Sequence, residues 1–393
     1  MKIAVNARFL TQPVTGVQRY AMGITTELIE ELGPENVILL APGSLSRPDF
    51  HGCRIYRSTN TLDGHRWEQL VLPGMFRRSG AEVLWSPANT GPLWVRSQIV
   101  TLHDVSVWRH PAGYSRSFRI WYRLLIPLLV RRVWGITTPS AFSRTEIAAV
   151  LRIPKSSVAI VPAGVDAQFY PVKPENIQKV REKLGLPDRY ALSVSSRNPN
   201  KNRAGLLKAW NAVFTDPGWP SEVQLVLAGA AGGPFAENSG EMLTPKGVLT
   251  LGHVEDEDLP ALYAGALFFI FPSFYEGFGI PPLEAMACGT PVAVSNTASI
   301  PEVVGSAGFF FDPHKTREIA EALFRMAGDE MLRKRLRLAG LQRVSRYTWY
   351  SAADRFLAET KRLCRIHQSV SGATEKPAGP QDAARFSHRN SGE

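Results

Sequence analysis

Cysteine is scarce in this chain: Cys53, Cys288 and Cys364 are the only three in 393 residues. An odd number without paired-ligand spacing argues against a disulfide framework or a structural zinc site, and points to a reducing, cytoplasmic compartment. Long apolar runs are missing too. No uninterrupted stretch reaches the ~20 residues of a membrane span, and Lys2–Arg8 (KIAVNAR) reads as a first strand, not as a secretory signal. There is no HExxH pair and no G-x-S-x-G elbow. GAAGG at 229–233 lacks the spacing of a dinucleotide fingerprint, and no acid follows where that motif would hold a ribose. Helix-turn-helix, RNP and zinc-finger patterns are also absent, so the net charge of +10 does not by itself argue for nucleic acid.

What is present is a globular composition, 44% hydrophobic and 20% charged, long enough for two ordinary domains. Residues 1–172 carry 19 Lys and Arg against 11 Asp and Glu, while residues 173–393 carry 26 against 24. The first half is the basic half, suited to an acidic substrate or anionic lipid. Apolar strand-like runs at Val37–Leu40, Val83–Ser86, Ile99–Leu102, Gly135–Thr138 and Val158–Val161 alternate with longer amphipathic segments. The rhythm restarts with Tyr190–Val194, Gln224–Leu227, Val248–Leu251, Leu267–Phe271 and Pro291–Val294. This predicts an α/β chain with two doubly wound parallel sheets. Phe169–Pro174 (FYPVKP) is the expected linker, dividing domains at 1–170 and 171–348. From Gln368 the composition turns to Ser, Gly, Ala, Pro and charge, which predicts a disordered tail over 368–393.

The most informative stretch is SFYEGFGIPPLEAMACGTPV, residues 273–292. Pro281 and Pro282 are tolerated only in a first helical turn, so no single helix joins Glu276 to Glu284. Glu276 is predicted on a loop, and Glu284 in the first turn of a helix over Pro282–Cys288. Upstream, Ala266–Pro272 reads as a buried parallel strand, which makes the unit strand, glycine loop, helix. Gly277 and Gly279 let the backbone approach a ligand, and the helix mouth offers the amides of Phe278, Gly279, Ile280 and Leu283 to an anion. Amides donate to phosphate oxygens and carboxylates accept from diols, so the pattern suits a sugar diphosphate. A plainer reading stands beside it: Glu276 as a solvated loop residue, Glu284 as a favourable charge at a helix N-terminus.

With these two acids, EGFGIPPLEAMACGTPV resembles the Glu-x7-Glu signature of the retaining glycosyltransferases of family 4, which have the GT-B fold of two Rossmann-like domains facing a central cleft. The likeness continues, in the family's order, through GVQRYA (Gly16–Ala21), TLHDVSVWRHP (Thr101–Pro111), TPSAFSRTEI (Thr138–Ile147), VPAGVDAQFYP (Val161–Pro171), SVSSRNPNKN (Ser193–Asn202), GHVEDEDLPALYAGA (Gly252–Ala266) and SIPEVVG (Ser299–Gly305). The resemblance implies metal-independent, cofactor-free, retaining transfer of a sugar from a nucleotide diphosphate donor to a glycan or lipid-linked acceptor. It implies Glu276 on hydroxyls of the transferred sugar, Glu284 on the ribose, Lys201 on the diphosphate, and Gly16 against the same phosphates from the opposite domain. It also puts His103 close to the transferred sugar and Val254 against the base, and has a final helix over about 349–367 cross back to the first domain. Many relatives carry an arginine six residues before the lysine; here that position is Ser195, with Arg197 the nearest substitute.

Apart from any family, Lys201 follows a predicted strand at its carboxyl end, where doubly wound sheets bind ligands and where a lysine can neutralise a diphosphate leaving group. The plainer readings are a solvated loop lysine, a turn glycine at Gly16, a satisfied structural histidine at His103 and ordinary packing at Val254. Asp256-Glu257-Asp258 matches the Asp-x-Asp metal signature of the other large glycosyltransferase fold only superficially, because three acids opening DLPALYAG suit a helix N-terminus. VNARFL, TGVQRY, HDVSVWRHP and PNKN are most similar to bacterial mannosyltransferase-like members of surface-polysaccharide pathways. GDP-mannose is therefore the expected donor, with a UDP-sugar open.

In Tyr114–Trp134, Arg116, Arg119 and Arg123 fall within about 60° of one another at 100° per residue, opposite Phe118, Trp121, Leu125 and Leu128. Pro127 is expected to interrupt that helix midway. Either the apolar side packs on the core and the arginines are solvated, or the segment meets anionic lipid, peripheral on the inner face of a membrane. The rival function from another class is a non-catalytic, membrane-associated binding protein on the same scaffold. Within enzymes, a sugar-nucleotide epimerase or a phosphorylase of related fold is the third reading.

Overall fold

The computed structural model describes residues 1–45, 49–229 and 245–374. The GAAGG segment beyond Gly229 and the tail from 375 onward lie outside the described residues. Short apolar runs form the strands of two sheets. The first holds β1 (Ile3–Asn6), β2 (Val37–Ala41), β3 (Asp49–Phe50), β4 (Cys53–Arg57), β5 (Val83–Ser86), β6 (Gln98–Thr101), β7 (Gly135–Thr138) and β8 (Val158–Ile160), in the order β3-β4-β2-β1-β5-β6-β7-β8. The second holds β9 (Arg189–Val194), β10 (Val223–Ala228), β11 (Val248–Gly252), β12 (Phe268–Phe271), β13 (Val292–Ser295) and β14 (Gly308–Phe311), in the order β11-β10-β9-β12-β13-β14. Every pairing is parallel except β3 with β4. Central strands such as VLWS and FFIF are buried along their whole length, as parallel strands covered on both faces must be.

Both sheets start in the middle, wind outward to one edge, and return to the other side of the first strand. Strand order therefore reverses between β1 and β5 and between β9 and β12. Loops at the carboxyl ends of strands flanking such a reversal open a crevice. The Gly16 loop follows β1, His103 follows β6, Lys201 follows β9 and Glu276 follows β12.

Five helices matter for the site: α1 (Gly16–Leu32), α2 (Arg116–Leu129), α3 (Ala141–Leu151), α4 (Ile280–Ala287) and α5 (Trp349–Thr374). The last returns to the first sheet's side. A side chain on Gly23 of α1 would overlap the Trp349 ring, and Phe356 lies 4.6 Å from Trp85 of β5, ring centroid to centroid. Three expectations change. The backbone of α5 stays helical to Thr374, seven residues into the expected tail. Pro127 does not interrupt α2: it lies inside the helix, third residue from the end, and forfeits the bond its N–H would make to the Arg123 carbonyl. Leu128, expected on the inner side, is 53% exposed.

One buried ion pair organises the carboxyl edge of the first sheet. Glu68 has no solvent exposure; Asn6 Nδ2 donates to it at 2.7 Å, Arg8 Nε stands at 3.4 Å and His65 Nδ1 at 3.2 Å. Burial pushes its carboxyl upward, but the Arg8 guanidinium and the His65 contact outweigh burial and hold it at about 2. A depressed carboxyl stabilises the fold above its unfolded range, and that contribution is lost as pH falls through the folded value. Glu68→Gln is therefore expected to flatten the acid limb of unfolding free energy, measured by chemical denaturation between about pH 5 and 3, and to lower neutral stability by about 3 kcal/mol with Arg8 left unpaired.

Candidate active site

Gly279, at a φ of 121°, caps the N-terminus of α4, so the helix begins at Ile280, two residues earlier than expected. Pro281 and Pro282 occupy its second and third positions, where a missing N–H is tolerated. Glu284 consequently lies in the second turn, not the first. It is 4% exposed and stands beyond the first turn, which replaces the reading of a favourable charge at a helix N-terminus.

Serine hydroxyls fix the loop before this helix. Ser299 Oγ donates to the carbonyls of Glu276 and Phe278 at 2.9 and 2.7 Å, and Ser140 and Ser143 Oγ donate to the carbonyl of Gly277 at 2.7 and 2.9 Å. In a trans peptide the next N–H points opposite to the carbonyl. Three pinned carbonyls therefore aim the amides of Gly277, Phe278 and Gly279, and among the described residues none of these amides has an acceptor. Gly277 serves a different purpose from the one expected. Its closest neighbour is the His103 carbonyl of the first half, 2.4 Å from where a Cβ would stand, so the glycine admits protein backbone.

Lys201 and Glu276, 75 residues apart, meet: Lys201 Nζ donates to both carboxylate oxygens at 2.8 and 2.9 Å. Lys201 ends a 3-10 turn (Pro199–Lys201) tied to the Glu276 loop by the Phe274 amide on the Asn200 carbonyl at 2.8 Å. Both side chains are partly accessible, 24% and 12%. Gly16 opens α1 beside the mouth of α4; a Cβ there would stand 3.6 Å from Ile280 Cδ1, an ordinary contact. The two helix N-termini thus lie close to each other.

His103 is buried, with its ring edge-on to Tyr20 at 4.8 Å. Its Nε2 lies 2.8 Å from the Pro87 carbonyl, which can only accept, so Nε2 carries the proton. Burial lowers its pKa and favours the neutral ring. Phe278 packs edge-on against Tyr347 at 5.7 Å. Val254 is buried in the large core cluster, consistent with ordinary packing. Arg197 is exposed, and the Ser195 amide is bonded to the Ala228 carbonyl.

The residue that sequence reasoning missed is Arg19, one turn into α1. From the first half it reaches Asp256 at 2.5 Å and Glu284 at 3.5 Å, and Asp166 before the linker at 3.0 Å. The signal was its place in GVQRYA, three residues after Gly16 and so on nearly the same helix face. Asp256 is thereby engaged with Arg19, and Asp258 with Lys183 at 2.8 Å. Glu284 also accepts from the Tyr263 hydroxyl at 2.8 Å. Burial pushes the Glu284 carboxyl up to about 7, with Arg19 and Tyr263 pulling against it. A raised carboxyl contributes stability at low pH that is lost as pH rises through the folded value. Glu284→Gln is expected to remove a fall of about 2–3 kcal/mol in unfolding free energy between roughly pH 5 and 8, read by chemical denaturation at each pH.

Residues 14–169 match the family described as Glycosyltransferase Family 4, and residues 176–343 the family described as Glycosyl transferases group 1. The O-antigen chain mannosyltransferase B of Escherichia coli is 28% identical over 389 residues, 92% of this chain and 100% of that protein. The serotype-specific mannosyltransferase WbdA of Escherichia coli is 30% identical over 61% of this chain, a stretch equal to 30% of its own length. Among solved structures, Anabaena HepE in complex with UDP-glucose matches with a TM-score of 0.70 at 18% identity, covering 95% of this chain and 100% of that one. WaaG, a glycosyltransferase involved in lipopolysaccharide biosynthesis, matches with a TM-score of 0.69 at 15% identity over 90% and 98%. With two parallel-sheet halves, neighbouring helix mouths and family matches on both sides of the linker, the chain belongs to the family 4, group 1 glycosyltransferases and has the GT-B fold.

Proposed function

We propose that this glycosyltransferase is metal-independent and retaining, and moves mannose from GDP-mannose to a glycan or lipid-linked acceptor of a bacterial surface polysaccharide. The observation that carries the reading is the Lys201–Glu276 pair at the mouth of α4, close to the mouth of α1. A diphosphate between the two mouths would take the amides of Phe278, Gly279 and Ile280 on one side and the Gly16 end of α1 on the other. Lys201 would neutralise the charge that develops as the glycosidic bond to phosphate breaks. Arg197 would supply the second cation, in place of the arginine missing at Ser195. Glu276 would accept from hydroxyls of the transferred sugar and Glu284 from the ribose. Neutral His103 would position the sugar, and Val254 would border the base. One carboxylate near the anomeric carbon gives no acid and nucleophile pair, so the leaving phosphate takes the acceptor proton. The mannose assignment is supported by the full-length similarity to the Escherichia coli mannosyltransferase.

A panel of nucleotide sugars tests this, read by thermal shift and by release of nucleoside diphosphate. GDP-mannose should raise the melting temperature most and be turned over, because ligand bound well above its Kd stabilises the fold by a few kcal/mol. A UDP-sugar that wins both readouts sinks the mannose assignment and leaves the family untouched. Lys201→Ala and Glu276→Ala are expected to cut kcat/KM by about a hundred- to a thousandfold. Glu284→Ala should raise donor KM by about ten- to a hundredfold with a smaller change in kcat. Because Glu284 accepts from a diol best when ionised, donor KM in the unaltered enzyme should climb as pH falls below about 7.

A further inference from the structure

Helix α2 presents to solvent a face with an unusual composition. Ile120, Leu124 and Leu128, each four residues apart, are 62%, 63% and 53% exposed. Trp94, 74% exposed, stands beside the chain that leaves the helix, with the Arg132 guanidinium 5.5 Å over its ring. Arg116, Arg123, Arg131 and Arg132 are exposed around these apolar groups. From Val105 to Thr145 the sequence has seven arginines and no aspartate or glutamate. At 100° per residue, Arg123, Arg116, Ile120, Leu124 and Leu128 sweep a single arc of about 140°. The opposite side is already satisfied: Leu125, Ile126 and Leu129 are buried, and Phe118 stacks on Tyr122 at 4.1 Å. The outward aliphatics are therefore not needed by the core.

We propose that this face docks on an anionic lipid bilayer. Ile120, Leu124, Leu128 and Trp94 would enter the boundary between headgroups and acyl chains, and the arginines would meet lipid phosphates. Charge decides against a second copy of the chain as the occupant, because a twofold interface would press this arginine-rich face against itself. Among the described residues no helix is long and apolar enough to cross a membrane, so the contact is with the surface. The face also begins beside the cleft. Tyr114, two residues before α2, bonds through its hydroxyl to Ser106 Oγ at 2.6 Å; that hydroxyl donates to Asp104, the neighbour of His103. Under the proposed function, a lipid-linked acceptor would then reach the site from the membrane plane; the docking itself does not depend on that reading.

Flotation of the full chain with vesicles tests the proposal, comparing phosphatidylcholine alone with vesicles containing roughly 30% phosphatidylglycerol. Binding to the anionic vesicles and little to the neutral ones is expected, weakening with salt. The variant Ile120→Ser, Leu124→Ser, Leu128→Ser, at exposed positions, should lose at least about tenfold in vesicle affinity while keeping its melting temperature and its donor hydrolysis in solution. Arg116→Gln with Arg123→Gln should lose about fivefold per arginine and flatten the salt dependence. The proposal is overturned if the unaltered chain stays unbound on anionic vesicles or if the serine variant floats equally well. It is equally overturned by a dimer in light scattering that the serine variant dissociates, with no lipid binding in either form. A chain that binds anionic vesicles yet turns over no nucleotide sugar leaves this inference standing and removes the proposed function.

Discussion

The peptide at Gly277 sets the spacing between the two halves of the molecule. Its carbonyl receives the hydroxyls of Ser140 and Ser143, and its α-carbon lies so close to the His103 carbonyl that a methyl group would collide at 2.4 Å. The same end of α3 is held a second time, because Glu302 accepts from the amides of Ala141 and Phe142 at 2.8 and 3.0 Å. A helix N-terminus in the first half is thus capped by a carboxylate of the second, while its own capping serine donates across the gap. This double hold brings the carboxyl edges of both sheets to one place. His103, Lys201, Glu276 and the two helix mouths inherit their positions from it.

Each of the two carboxylates of the Glu-x7-Glu pair has its own cation, drawn from a different half. Lys201 and Glu276 follow strands of the same sheet, so their pairing survives any change in the angle between the halves. Glu284 depends on Arg19, which comes from the opposite side and is shared with Asp256 and with Asp166. Asp166 also accepts from the indole N–H of Trp349 at 2.5 Å, which joins the start of α5 to the same network. Opening the cleft would therefore leave Glu276 as it is but strip Glu284 of its guanidinium. Without that charge, burial alone would favour the neutral acid. Here Arg19 and the Tyr263 hydroxyl offset part of the burial that raises the Glu284 carboxyl.

Strand rhythm made the two sheets legible. Val83–Ser86 and Gly135–Thr138 have the bounds the apolar runs predict, and most others differ by one residue at an end. The strands without a prediction were β3, β4 and β14. Cys53–Arg57 is a half-exposed strand near an edge and lacks a continuous apolar run; Gly308–Phe311 follows a 3-10 turn that hides its start. The site was legible as residue types at strand ends, since Lys201 and Glu276 follow β9 and β12 and do meet. Arg19 and the three serines were not legible, because their meaning lies in contacts between distant segments. Nothing in the local sequence of Ser140 announces a bond to a carbonyl 137 residues away. A loop glycine looks the same in sequence whichever backbone approaches it, so Gly277 gives no sign that the His103 carbonyl takes the space.

The prolines of α4 explain why Glu284 is where it is. With Pro281 and Pro282 at the second and third positions, the helix keeps few of its own free amides, and much of the donor capacity moves into the loop amides that the serines aim. A carboxylate in the first turn would compete with an incoming anion for those donors and repel it. One turn further along, Glu284 is out of that competition, but it is buried, and burial raises its carboxyl to about 7. Arg19 and the Tyr263 hydroxyl make that position tenable. The mouth of the helix is left clear for negative charge, and an acceptor of hydrogen bonds stands beside it at a distance the backbone fixes.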